Sequence, residues 1–83
     1  MHEFDLQNEI PDEATTIEIY AMMKPARSSI EVRRTPDHDQ PIVMSDGMRT
    51  TMGVPDGRKL YIMPSLFAEE FKIFVAGWFR ERV

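Results

Sequence analysis

The chain has 83 residues, no cysteine and a formal net charge of -4. Without cysteine, disulfides and the commonest zinc sites are excluded, so a single domain of this size must gain its stability from a compact core, a dimer or a partner. Apolar runs are far shorter than the roughly 18 residues of a membrane span, and no export signal is visible. These features predict a soluble, cytoplasmic protein.

Charge is unevenly distributed along the sequence. The first 23 residues carry six carboxylates and no Lys or Arg, whereas the remaining sixty carry ten positive and eight negative groups. Residues 1–23 therefore have a net charge of -6 and residues 24–83 a net charge of +2. Segregation of this kind concerns partners and association rather than fold.

The N-terminal segment, residues 1–13, shows no clean period and is predicted to be an acidic arm that precedes one domain over residues 14–83. Its three large apolar side chains, Phe4, Leu6 and Ile10, can pin the arm onto that domain. A floppy acidic tail is the competing interpretation.

Strict alternation of apolar and polar residues predicts strands at residues 15–23 and 29–34. Lys24 and Pro25 separate them, because proline cannot donate to a sheet ladder. The two strands are predicted to pair as a hairpin.

Residues 35–41, with two prolines and two aspartates, are predicted to be a loop. Three further short strands are predicted at residues 42–44, 48–53 and 59–63. Asp46 and Gly47 connect the first two of these, and an Asp-Gly pair is a strong hairpin signal because both residues tolerate positive φ.

The C-terminal segment is predicted to be an α-helix capped by Ser65. At 100° per residue, one face of that helix would carry an aromatic stripe: Phe67, Phe71, Phe74, Val75, Trp78 and Phe79. The predicted fold class is therefore α+β, a small meander-like antiparallel sheet of four or five strands with one C-terminal helix packed on one face.

Three sequence features are candidates for a metal, catalytic or cofactor site. Asp37, His38 and Asp39 have metal-ligand side chains, but a loop collects aspartate for turn reasons alone, so no metal site is predicted. Neither histidine has a spaced carboxylate partner and no serine has an elbow motif, so no catalytic residue is predicted. No cofactor is predicted, because the glycines fit turns rather than a phosphate cradle.

A non-enzymatic protein-binding module is the predicted function. Its acidic segment would attract a basic protein surface, and strand residues would then be buried as anchors. The predicted contact residues are Glu9, Asp12, Glu13, Glu18, Tyr20 and Met22. By analogy of size and charge, such a chain suits a phage-type inhibitor that occupies the basic, nucleic-acid-binding groove of a partner.

Two further contacts are predicted. Leu66, Ile73 and Gly77 would lie on the far side of the helix, as a secondary patch for a partner or for a homodimer. The alternative function is a nucleic-acid-binding regulator that uses the basic hairpin Lys24–Arg34. Against that alternative, the acidic arm would repel phosphates and the basic positions lack interleaved aromatic residues.

Overall fold

The computed structural model describes residues 1–37 and 40–81, and these residues form seven β-strands and no helix. The strands are β1 (His2–Asp5), β2 (Thr16–Lys24), β3 (Ser29–Arg33), β4 (Ile42–Ser45), β5 (Arg49–Gly53), β6 (Lys59–Pro64) and β7 (Glu70–Phe79). The fold is all-β, so the predicted α+β class is wrong.

The strands form two antiparallel sheets. One has four strands in the order β1-β6-β3-β4, and the other has three in the order β5-β2-β7. Their inward side chains meet in one hydrophobic cluster within the described part of the chain. Among the most deeply buried members are Ile17 and Ile19 of β2, Ile30 and Val32 of β3, and Leu60 of β6. This core is contributed by both sheets and holds them together.

The segment predicted to be the C-terminal helix is instead strand β7, which pairs with β2 along its whole length. From Glu70 to Ile73 the residues alternate polar and apolar, and Ile, Val, Phe and Trp all fit a pleated surface well. Gly77 would also have weakened a helix by about 1 kcal/mol. The spacing of the apolar residues in this segment fits a helix as well as a strand, and pairing with β2 selects the strand.

The two predicted hairpins are also wrong, because in each of them the chain passes from one sheet to the other, whereas β3 and β4 do pair antiparallel within one sheet. β2 and β3 lie in different sheets, as do β4 and β5. Gly47 does adopt positive φ, at 79°, but its N–H donates to the carbonyl oxygen of Ala21 at 2.8 Å. The Asp46 carboxylate accepts a hydrogen bond from the N–H of Met23 at 2.8 Å. The turn thus bridges the sheets rather than closing a two-stranded meander.

The N-terminal segment is part of the sandwich. β1 pairs with β6, and Leu6 and Ile10 are buried in the core. The Arg58 guanidinium donates hydrogen bonds to the carbonyl oxygens of Ile10 and Pro11, at 3.5 and 2.9 Å. Two hydrogen bonds from one cation to backbone carbonyls hold this segment against the turn that precedes β6.

Candidate functional site

The candidate site is the outward face of the three-stranded sheet, the side that points away from the core. Along β2 the odd-numbered residues are buried and the even-numbered ones are not. Glu18, Tyr20 and Met22, all predicted contact residues, therefore lie side by side on this face. Strand alternation is the reason, since successive side chains point to opposite sides.

Tyr20 is held between residues of both neighbouring strands. It faces Phe74 of β7, with ring centroids 6.3 Å apart and planes tilted by 34°. On the other side it faces Arg49 of β5, whose guanidinium carbon lies 5.5 Å from the tyrosine ring centroid. Arg49 Nη1 also lies 3.4 Å from Glu18 Oε1. Aromatic and cation–π contacts of this kind restrict the orientation of the ring.

Two β7 residues extend this surface. Phe74 and Phe79 lie opposite Tyr20 and Thr16, and they are 43% and 53% exposed, comparable to Met22 at 46%. We call Glu18, Tyr20, Met22, Arg49, Phe74 and Phe79 the aromatic face. The outward face of the four-stranded sheet differs, because its exposed Val43 and Met63 both flank Glu31, which is ion-paired with Arg33 at 2.9 Å. On the aromatic face Tyr20 adjoins Phe74 and Met22, while Lys72 lies opposite Met22 and Glu18 separates Tyr20 from the Phe79 end. On the other face Glu31 separates Val43 from Met63.

A hollow of about 480 Å³ adjoins the aromatic face where β2 ends and β7 begins. Its lining residues are Met22, Met23, Lys24, Ala26, Asp46, Glu70, Phe71, Lys72 and Phe74. The lining surface is mainly apolar, and its two lysines are balanced by two carboxylates. This combination suits an apolar side chain of a docked protein, with polar groups at the rim.

The acidic residues among the first 23 positions do not form one exposed group. Glu3 lies 3.6 Å from the Lys59 ammonium, and Glu18 contacts Arg49. The other predicted acidic contacts, Glu9, Asp12 and Glu13, are exposed in the connection between β1 and β2. Of the predicted acidic contacts, only these three therefore lie together in one exposed segment.

That segment leads into the aromatic face at one end. The N–H of Thr15, two residues after Glu13, donates to the carbonyl oxygen of Phe79 at 2.9 Å. Glu13 is thus held near the Phe79 end of the face by chain connection. Arg80 follows Phe79 directly, so this end carries charge of both signs.

The residues of the predicted secondary patch do not lie together, because the predicted helix is a strand. Leu66 is fully exposed in the connection between β6 and β7, whereas Ile73 is buried in the core. Gly77 lies opposite Glu18, next to a bulge in the β2–β7 pairing. The shared helix face that grouped these three residues does not exist.

The basic residues behind the nucleic-acid alternative are also dispersed. Lys24 ends β2 and Arg33 ends β3, and the two strands belong to different sheets. Arg33 is paired with Glu31 at 2.9 Å. Because β2 and β3 do not pair, the segment Lys24–Arg34 forms no two-stranded ribbon.

Of the three residues with metal-ligand side chains in the loop, Asp37, His38 and Asp39, the last two lie outside the described residues. Within residues 1–37 and 40–81, no group of three or more His, Asp or Glu side chains is placed to hold a metal ion. No helix in that part of the chain is long and apolar enough to cross a membrane.

Sequence reasoning missed Arg49, Phe74 and Phe79 as members of the site. Phe74 and Phe79 were assigned to a buried helix stripe, and nothing local to Arg49 shows that it will lie beside Tyr20. The available signal was the polar–apolar alternation from Glu70 to Ile73 together with the β-branched and aromatic residues that follow it, which favour a strand.

Comparison of the chain with protein-family models, with curated proteins and with solved structures finds no significant match.

Proposed function

We propose that this protein is a small non-enzymatic binding module and that a partner protein docks on the aromatic face. The observation that carries the proposal is the arrangement around Tyr20, which is held between Arg49 and Phe74 beside exposed Met22. Tyrosine and arginine are enriched among residues that dominate binding energy. A ring that is already positioned loses little conformational entropy when it is buried.

Methionine contributes differently from the aromatic rings. Met22 is unbranched and polarisable, so it can adapt to irregular partner surfaces. It lines the hollow together with Phe74. We therefore expect an apolar partner side chain to enter the hollow while Tyr20 supplies the rigid contact.

Electrostatic attraction is the second part of the proposal. Glu9, Asp12 and Glu13 are exposed in the connection that leads from β1 to the Phe79 end of the aromatic face, and the chain as a whole has a net charge of -4. A partner with a basic surface would be steered toward that end, which raises the association rate. A phage-type inhibitor acting in the cytoplasm on a basic nucleic-acid-binding groove is one form of this proposal.

Nucleic acid as the direct ligand is not favoured by any contact among the described residues. The basic segment Lys24–Arg34 is divided between two sheets, and Arg33 is engaged with Glu31. On the aromatic face, Arg49 already contacts Glu18. A phosphate there would have to compete with a carboxylate.

The electrostatic part is tested with a charge-neutralised variant. After the partner has been captured from a host lysate and purified, its association rate is measured for the wild type and for the triple variant Glu9→Gln, Asp12→Asn, Glu13→Gln. We expect the variant to associate several-fold more slowly at low salt and at nearly the wild-type rate at high salt, because salt screens exposed charges.

The matched control removes three exposed carboxylates elsewhere, in the variant Asp37→Asn, Asp56→Asn, Glu69→Gln. It changes the net charge by the same amount. If the control slows association as much as the test variant does, the position of the acidic segment is irrelevant and only the net charge matters.

A further inference from the structure

β7 is an unusually long strand at the edge of its sheet. It has ten residues, whereas the other edge strands β1, β4 and β5 have four, four and five. Within the described residues it pairs only with β2, so the backbone groups on its other side form no strand ladder. Short edge strands, proline, edge charge and β-bulges normally prevent further pairing. β7 has one bulge, at Ala76, but it contains no proline, and its charges lie only within its first three residues.

Apolar side chains beside this free edge are exposed. Trp78 lies opposite Ile17, on the core-facing side, yet it is 42% exposed. Phe74 and Phe79, on the opposite side of β7, are also exposed. Large apolar side chains on both sides of an unpaired edge are typical of a strand that another strand covers.

Charge at this edge favours a second copy of the chain. Residues 70–81 carry Glu70, Glu81, Lys72 and Arg80, two negative and two positive charges, so their net charge is zero. The chain as a whole is at -4, and two copies repel each other elsewhere. β7 is thus a neutral strip along which two copies can approach.

The order of charges selects the orientation. Glu70 begins β7 and Arg80 follows its last residue. An antiparallel arrangement brings Glu70 of each copy close to Arg80 of the other, whereas a parallel arrangement places like charges together. Two-fold symmetry makes this contact twice.

We propose that two copies of the chain pair antiparallel along β7 and form one continuous six-stranded sheet. The two aromatic faces then adjoin on the same side of that sheet. The dimer does not depend on the proposed function, since it needs no other protein. A strictly monomeric protein would leave the proposed partner contact intact.

The first test measures molar mass by sedimentation equilibrium over a concentration series. The wild type should rise from 9.7 kDa to twice that value. Ala76 is exposed and lies in the middle of β7 without a partner residue on β2. Ala76→Glu should raise the dimer dissociation constant by about tenfold or more, because it places like charges near the two-fold axis.

Thr51→Glu is the matched control. Thr51 is exposed on β5, at the opposite edge of the same sheet, and this variant should dimerise like the wild type. A wild type that stays monomeric at all concentrations would overturn the proposal. So would an Ala76→Glu variant that dimerises normally, or equal weakening by the two variants.

A charge-reversal cycle tests orientation with variants outside the middle of the strand. Glu70→Arg and Arg80→Glu should each weaken the dimer several-fold. The double variant should recover most of the lost affinity, since it exchanges the two charges. Additive weakening in the double variant would exclude the antiparallel contact.

Discussion

Truncating Leu6 to alanine is expected to lower the free energy of unfolding by about 2–5 kcal/mol. Leu6 follows β1 directly and is fully buried in the core. Its N–H donates to the carbonyl oxygen of Arg58 at 2.9 Å, so the backbone cannot easily move to fill the space left by the missing side chain. A folded domain has about 5–15 kcal/mol of stability in total, which makes this a large fraction.

Urea denaturation of the variant and of Leu66→Ala provides the measurement and its control. Leu66 loses the same atoms but is fully exposed in the wild type, and its substitution should change stability by less than about 0.5 kcal/mol. Equal stabilities for the two variants would mean that the N-terminal segment is not part of the core.

Replacing Tyr20 by alanine is expected to weaken partner binding by about 2 kcal/mol or more, roughly thirtyfold in the dissociation constant. The ring is positioned by Phe74 on one side and Arg49 on the other. Its loss removes the rigid centre of the aromatic face. Phe74→Ala should also weaken binding, and the two losses should not be additive, because the rings are in contact.

Val43→Ala is the matched control for these binding measurements. Val43 is an exposed apolar residue on β4, on the outward face of the other sheet, and its truncation should leave affinity within about threefold of the wild type. Isothermal titration calorimetry with the purified partner gives all five dissociation constants, for the wild type, the three single variants and the double variant Tyr20→Ala/Phe74→Ala. An affinity that depends on Val43 and not on Tyr20 would place the contact on the four-stranded sheet.

The central strand and its exposed residues could be predicted from local pattern. Alternation over residues 15–23 predicts β2 within one residue of its observed limits. The same alternation places Tyr20 and Met22 on one side, where the structure has them. Asp46 and Gly47 were both predicted to tolerate positive φ, and of the two Gly47 adopts it, at 79°. Each of these predictions depends only on residues that are neighbours in sequence.

Strand pairing could not be predicted in the same way. Phe74 and Arg49 reach Tyr20 from strands far along the chain, and no local period specifies that register. The segment that became β7 has apolar residues at spacings that fit either a helix or a strand. Only the tertiary context, pairing with β2 over a common core, selects the strand.

The charge of the first 23 residues illustrates the same limit. Their six carboxylates stand together in sequence, but pairing brings Glu3 near Lys59 and Glu18 near Arg49. Both contacts join residues of different strands. The net charge of a segment therefore overestimates the negative potential that a partner encounters.

Methionine oxidation gives the most direct test of the aromatic face as the docking surface. Met22 lies on that face and Met63 on the outward face of the other sheet, and they are similarly exposed, at 46% and 39%. Oxidation by hydrogen peroxide, followed by mass spectrometry, is measured for the free protein and for its complex with the partner. If a partner docks on the aromatic face, it should slow oxidation of Met22 several-fold and leave oxidation of Met63 unchanged. Unchanged oxidation of Met22 in the complex, or protection of Met63 instead, would contradict docking on that face.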